Sequence, residues 1–289
     1  MRLCGTCGDE IRSPGWRCAS CGASPAVLDG FLAFAPELAV ATDAFPEKCY
    51  GDLARLEPGN FWFRSRNRLI CWALGAYFPS AENFLEVGCG TGYVLHGVEI
   101  AFPSLALHGS ELHISGLRAA SQRLSRANLF QMDARRIPFR GEFDAIGCFD
   151  VIEHIEEDER ALCEIHSALK PGGGFLMTVP QHPSLWGPSD EFGGHVRRYE
   201  RRALLTKLRQ AGFSIVRASS FVSFLLPALA TSRLWTRKSG APYDPTAELK
   251  LNALVNAAFG GIMGCEIALI RAGWNFPAGG SLIVIATKS

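Results

Sequence analysis

From residue 83 onward, short apolar runs alternate with stretches whose apolar positions recur every three or four residues, as strands alternate with amphipathic helices. The runs at 83–87, 105–112, 128–133, 143–150, 172–180, 213–221 and 281–288 predict seven strands. The stretches at 93–102, 114–125, 158–169 and 200–211 predict helices between them. Such alternation implies an α/β domain with a seven-stranded, mainly parallel sheet and helices on both faces. The segment from about 222 to 280 breaks the rhythm and reads as a helical insertion or cap. Within it, Leu251, Leu254, Val255, Ala258, Phe259 and Ile262 fall at helical spacing between 249 and 271, although Gly260, Gly261 and Gly264 weaken that helix.

Upstream, Leu69, Trp72, Ala73 and Ala76 recur at helical spacing, so residues 31–80 read as a helical connection or lid. Residues 1–30 differ in kind, with too few apolar side chains for a core. They carry two CxxC pairs, Cys4 with Cys7 and Cys18 with Cys21, separated by ten residues. This spacing fits a zinc ribbon, in which four thiolates on two knuckles hold a tetrahedral ion. All four positions are then taken, so the zinc is structural. The expected organisation is a ribbon at 1–30, the connection at 31–80 and the α/β domain at 81–289.

Composition narrows the functions. The chain has 289 residues, 48% hydrophobic and 20% charged, with a net charge of +1. No global field recruits nucleic acid, so a small-molecule partner is favoured. The six remaining cysteines are scattered, mostly in apolar segments, as core residues are in a reducing compartment. The polar first residues do not resemble a signal peptide, and a cytoplasmic protein is expected. Residues 221–230 are too short for a membrane span, and 251–274 carry Asn252, Asn256, Glu266 and Arg271. Contact with a second subunit or a membrane surface through 221–271 stays open.

The first chemical signal is Glu86-Val-Gly-Cys-Gly-Thr-Gly92 between a strand and a helix, where glycines at 88, 90 and 92 allow a tight turn and close backbone approach to a ligand. Glu111 ends the second strand, 19 residues after Gly92, where a carboxylate can accept ribose hydroxyls. Asp133 ends the third, where it can accept an adenine amine. Alone, each has an ordinary explanation as a plain turn or a solvated acid. In order at successive strand ends, they point to one nucleoside.

The stretches EVGCGTG, GSEL, MDARRIPF, FDAIGCFDVIEHI and LKPGGGFLMTVP resemble the successive motifs of class I S-adenosylmethionine-dependent methyltransferases, over about residues 83–180. The resemblance implies a Rossmann-like fold. It assigns Glu86, Gly88, Gly90 and Gly92 to the methionine end of the cofactor, Glu111 to the ribose and Asp133 to the adenine. Cys89, Leu112, Met132 and Ala134 join the cofactor-binding set, and Asp150 falls where the acceptor meets the methyl group. FWFRSRNRLI and HPSLWGPSDEFGGHVRRY are similar to a bacterial subgroup of type 11 methyltransferases whose members often act on small molecules, lipids or sugars. Ubiquinone-biosynthesis O-methyltransferases are more distant.

The expected activity is methyl transfer from S-adenosylmethionine to a small molecule, with oxygen favoured as the acceptor atom. A hydroxyl acceptor benefits from a general base, and His154, His182 and His195 are the candidates. His195 is preferred because Asp190 and Glu191 lie close in sequence, although each histidine also reads as structural. Trp62, Arg66, Asp190, Arg197, Arg198 and Tyr199 are candidate substrate contacts. The arginines read either as an anion clamp or as the charged start of a helix. The alternatives are methylation of RNA or protein docked through the ribbon, a nicotinamide oxidoreductase, and a non-catalytic scaffold.

Overall fold

The computed structural model describes residues 1–13, 15–39, 48–239 and 250–289. Strands β1 (Arg2–Leu3), β2 (Glu10–Ile11), β3 (Ala26–Leu28) and β4 (Phe31–Ala33) precede helices α1 (Lys48–Leu56) and α2 (Phe61–Tyr77). Then follow β5 (Asn83–Val87), α3 (Tyr93–Ala101), β6 (Ala106–Glu111), α4 (Ile114–Arg123), β7 (Asn128–Gln131) and β8 (Phe143–Phe149). The second half runs α5 (Asp158–Ala168), β9 (Leu169–Pro180), α6 (Pro188–Phe192), α7 (Arg201–Gln210), β10 (Phe213–Phe221), α8 (Leu226–Ser239), α9 (Ala253–Arg271) and β11 (Ser281–Lys288).

All seven expected strands enter one sheet, ordered β10-β11-β9-β8-β5-β6-β7-β4-β3. Strands β5 to β9 pair in parallel, and β10 and β11 close that edge antiparallel. The central strand β5 is buried from Phe84 to Val87, including the acid Glu86, as a strand covered on both faces must be.

Within this sheet two strands exceed the expected seven, while β1 and β2 pair apart from it. Hairpin β3–β4 crosses the boundary expected at residue 30, and β4 runs parallel to β7 through Leu32 and Phe130. Its turn is Asp29-Gly30, both at positive φ (51° and 86°), the conformation a tight hairpin needs. The buried Gln131 side chain accepts from the Ala35 amide at 2.9 Å and donates to the Ala35 carbonyl at 2.8 Å, which fixes the chain leaving the hairpin. The first module therefore continues the sheet. Trp16 also packs edge-on against Phe34 (4.5 Å) and Phe139 (5.5 Å).

Two apolar layers flank the sheet. One packs Leu162 and Ile165 of α5 and Leu204 and Leu208 of α7 beneath Phe143, Phe175 and Met177. The other packs Leu69, Ile70 and Leu74 of α2, Val94 and Leu95 of α3, and Met263, Ile267 and Ile270 of α9. The insertion is helical over α8 and α9 as expected, and residues 240–249 lie outside the described residues. Helix α9 packs on α2 through Phe259 and Phe61 (5.2 Å), and Asn256 accepts from the Phe61 amide at 2.8 Å. Among the described residues α9 is the one helix long and apolar enough to cross a membrane. Its Glu266, however, is fully buried in the domain and accepts the Ser223 and Phe224 amides at 2.8 Å.

Candidate active site

A cavity of about 540 Å³ opens at the carboxyl ends of β5, β6, β7 and β8, where an open α/β sheet binds its ligands. Its floor is the turn after β5. Gly88, Gly90 and Gly92 all adopt left-handed φ (72°, 52° and 75°). A Cβ on Gly88 would lie 2.5 Å from Val151, whereas one on Gly90 would meet nothing within 4 Å, so the turn shows bare backbone to the cavity.

Of the acids that end the neighbouring strands, Glu111 reaches this turn. Glu111 accepts the Gly90 amide at 2.9 Å through one oxygen and the Leu112 and His113 amides at 2.8 and 3.2 Å through the other. Asp133 is paired with Arg135, whose Nε lies 3.0–3.1 Å from both its oxygens, and Arg135 extends to Glu157 at 2.7 Å. Glu86 is buried beneath the cavity with Oε2 unpartnered, and burial raises its carboxyl to about 8 despite the pull of Arg66. All expected cofactor residues line the cavity except Gly92. Gly92 instead packs on α4, where a Cβ would lie 2.9 Å from Leu124.

Helices α1 and α2 roof the cavity with Tyr50, Leu53, Trp62, Phe63 and Arg66. Arg66 forms an ion pair with Asp150 and stacks over Trp62 at 4.4 Å. Asp150 itself sits at φ 56°, a strained conformation that aims it inward, and accepts from Thr178 at 3.1 Å. The roof is locked by buried Glu57, which accepts from Thr91 at 2.7 Å and from Arg123 at 2.6 Å. Glu57, Thr91 and Arg123 were not foreseen from the sequence, because their contact joins three segments distant along the chain.

The histidines separate. His154 faces the cavity, where its ring is open to solvent. The cavity walls desolvate it in part, and with the charge of His195 this holds its imidazole below the usual range. His195 stands edge-on to it (centroids 4.7 Å apart) just behind the lining, with Nδ1 2.9 Å from Asp190 as its preference anticipates. His182 lies outside the lining and packs near Arg198.

Of the two readings of the arginine run, Arg197 and Arg198 do not form a clamp on the cavity. Arg197 turns onto the Ile155 and Glu156 carbonyls (2.9 and 3.0 Å) and Asp158, and Arg198 onto Asp190 and the Gln181 carbonyl (2.8 and 3.0 Å). Tyr199 is buried and donates to Asp158 at 2.7 Å. Asp190 is buried as the hub of this network, so of the six expected substrate contacts only Trp62 and Arg66 line the cavity. Buried carboxylates recruit nearby arginines, which spacing alone does not reveal.

At the N-terminus Cys4, Cys7, Cys18 and Cys21 converge with all Sγ atoms within 4.8 Å. The pairs Cys4–Cys21 and Cys7–Cys18 stand 3.6 Å apart, close to the roughly 3.8 Å that a tetrahedral site with Zn–S of about 2.3 Å requires. Gly8 and Gly22 follow each pair at positive φ and donate back to the Cys4 and Cys18 carbonyls at 3.0 Å, forming two matching knuckles.

Residues 59–218, more than half of the chain, match the methyltransferase-domain family. The chain belongs to the class I S-adenosylmethionine-dependent methyltransferases. A Mycolicibacterium smegmatis protein described as an S-adenosylmethionine-dependent methyltransferase is 28% identical over 54% of this chain and 60% of its own length. The ubiquinone biosynthesis O-methyltransferase of Dechloromonas aromatica is 27% identical over 39% of this chain and 51% of its own length. Phosphoethanolamine N-methyltransferase 2 of Caenorhabditis elegans is 31% identical over 43% of this chain and 29% of its own length. The matches thus cover less than two-thirds of each relative. Among solved structures, Haemonchus contortus phosphoethanolamine N-methyltransferase 2 with bound S-adenosylmethionine aligns at TM-score 0.50 and 20% identity, over 77% of this chain and 52% of that one. A Thermotoga maritima S-adenosylmethionine-dependent methyltransferase aligns at 0.52 and 16%, over 84% and 95%. These likenesses establish the fold.

The methyltransferase site fits its cofactor. Glu86 offers an unpartnered carboxylate oxygen to a ligand ammonium, and Gly90 offers open backbone. Glu111 keeps lone pairs beyond its three amide contacts.

Proposed function

We propose that this methyltransferase methylates a hydroxyl of a small-molecule acceptor. The reading is carried by one observation: the cofactor residues and the aromatic roof of Trp62 and Phe63 share a single cavity of about 540 Å³. That size falls within the roughly 300–1,000 Å³ of small-ligand sites. S-adenosylmethionine supplies the methyl group already activated on a sulfonium, with the C–S bond breaking as the new bond forms. Glu86 pairs with the ammonium end, the 88–90 turn receives the adjoining chain, Glu111 holds the ribose, and Asp133 receives the adenine amine. Trp62 and Phe63 cover the acceptor and exclude water, while Arg66 and Asp150 orient its polar end. Alignment of this kind supplies up to about 7–11 kcal/mol of the barrier. The acceptor proton leaves to water on the cavity side that His154 borders.

The four cysteines, in this reading, hold a structural zinc that stabilises a module with little core of its own. Relatives named for ubiquinone and phosphoethanolamine methylation support a small acceptor. The test supplies methyl-labelled S-adenosylmethionine with phenol, sugar and amine panels, and with RNA and protein from a lysate. Label in base-stable methyl ethers agrees with the proposal. Label in amines alone, or in precipitated macromolecules, contradicts it.

A further inference from the structure

Beside the acceptor end of the cavity, Glu153, His154 and His195 bring one carboxylate and two imidazoles together, with their ligand atoms all within 4.8 Å. Three ligands on one ion at about 2.0–2.2 Å stand roughly 3–3.6 Å from one another, so the set closes on a cation once side-chain rotation brings its atoms in by about 1–2 Å.

The Glu153 side chain is fully buried, and neither of its oxygens has a hydrogen-bond partner. A buried carboxylate left without partners is costly, and a ligand that supplies the missing partner removes that cost. The two nearby guanidinium groups are engaged elsewhere, Arg66 on Asp150 and Arg198 on Asp190 at 2.8 Å. The two imidazoles are prepared differently. His195 Nδ1 is held by Asp190 at 2.9 Å, which leaves Nε2 as its ligating atom. A carboxylate behind an imidazole is the usual support of a metal-bound histidine. Asp190 is itself fixed, accepting the Gly187 amide at 2.8 Å. His154 opens onto the cavity, and the Val196 amide donates to the Glu153 carbonyl at 2.8 Å, clasping the loop that carries His195 against the strand end.

We propose that Glu153, His154 and His195 bind a divalent transition-metal cation facing the acceptor. Two nitrogens and one carboxylate suit Mn²⁺, Fe²⁺, Co²⁺ or Zn²⁺, and three protein ligands leave positions open on the cavity side. The site deepens the hydroxyl reading and rests on it. The cation draws electron density from the acceptor oxygen, whose proton passes to cavity water. That oxygen then bonds to the methyl carbon as the C–S bond breaks and its electron pair stays on sulfur.

The test titrates Mn²⁺, which competes poorly for thiolate sites, into the full zinc-loaded chain and follows it by calorimetry and electron paramagnetic resonance. One Mn²⁺ per chain is expected, with Glu153→Gln and His195→Ala each weakening it at least tenfold while S-adenosylhomocysteine affinity holds within about twofold. His195→Ala, in a loop, keeps the test open if Glu153→Gln does not fold. No Mn²⁺ binding at millimolar concentration, or binding indifferent to the substitutions, overturns the site. Methyl-ether formation at full rate without a divalent cation overturns it too, while leaving the hydroxyl reading intact. Substitution-sensitive Mn²⁺ binding with methylamine products upholds the site and overturns the hydroxyl reading.

Discussion

The carboxylate of Glu111 accepts the backbone amide of Gly90 at 2.9 Å, so the acid ending β6 and the glycine turn after β5 form one unit in the ligand-free protein. Removing that carboxylate takes away both a charged acceptor for the ribose and a brace for the turn. Glu111→Ala is expected to weaken S-adenosylhomocysteine binding by about 1–3 kcal/mol. Calorimetry checks this; an unchanged affinity would remove Glu111 from the site.

Glu86 links cofactor binding to pH. Burial raises its carboxyl to about 8. A raised acid favours folding most when protonated, so its contribution is fully present below about 4.5 and is lost as pH rises through about 8. Ligand-free protein should therefore lose melting temperature across that window relative to Glu86→Gln. If Glu86 meets the ligand ammonium, binding at pH 7 releases a proton, measurable as a buffer-dependent calorimetric enthalpy. Equal enthalpies in buffers of different ionisation heat would dismiss the pairing.

Arg66 and Asp150 face each other across the roof with side chains 10% and 19% exposed. Arg66→Ala leaves Asp150 with Thr178 as its remaining side-chain partner and opens the roof. We expect a stability loss of about 2–3 kcal/mol, below the cost of a fully buried pair because both groups keep some solvent. Chemical denaturation measures it, and a loss below about 0.5 kcal/mol would make this an ordinary surface pair.

The cysteine module should carry one zinc per chain. Its removal should release Trp16 from Phe34 and Phe139, changing tryptophan emission and lowering the melting temperature. None of the four cysteines lines the cofactor cavity, so S-adenosylhomocysteine affinity should persist. Metal analysis returning no zinc would refute this assignment.

The parallel strands were legible because strands covered on both faces read as unbroken apolar runs. NFLEV at 83–87 coincides with β5, and the antiparallel edge strand β10 also falls where FSIVRASSF predicts it, at 213–221. Hairpin β3–β4 escaped notice because each strand has three residues, too few to show a period, although Asp29-Gly30 carried the turn signal. The cofactor residues were readable because they cluster at strand ends in chain order. The fate of Arg197 and Arg198 was not, since the acids that capture them, Asp158 and Asp190, are recognised only once the loop has folded against β8. Glu153 stood unremarked inside DVIEHI for the same reason: its isolation from any partner is a property of packing.

The most direct measurement is a crystal structure with S-adenosylhomocysteine. Its ribose is expected on Glu111, its adenine beside Asp133, its ammonium at Glu86, and its sulfur turned toward Asp150 and His154. Density for the ligand outside the 88–92 turn, or the adenine end lying under Trp62 and Phe63, would contradict this placement.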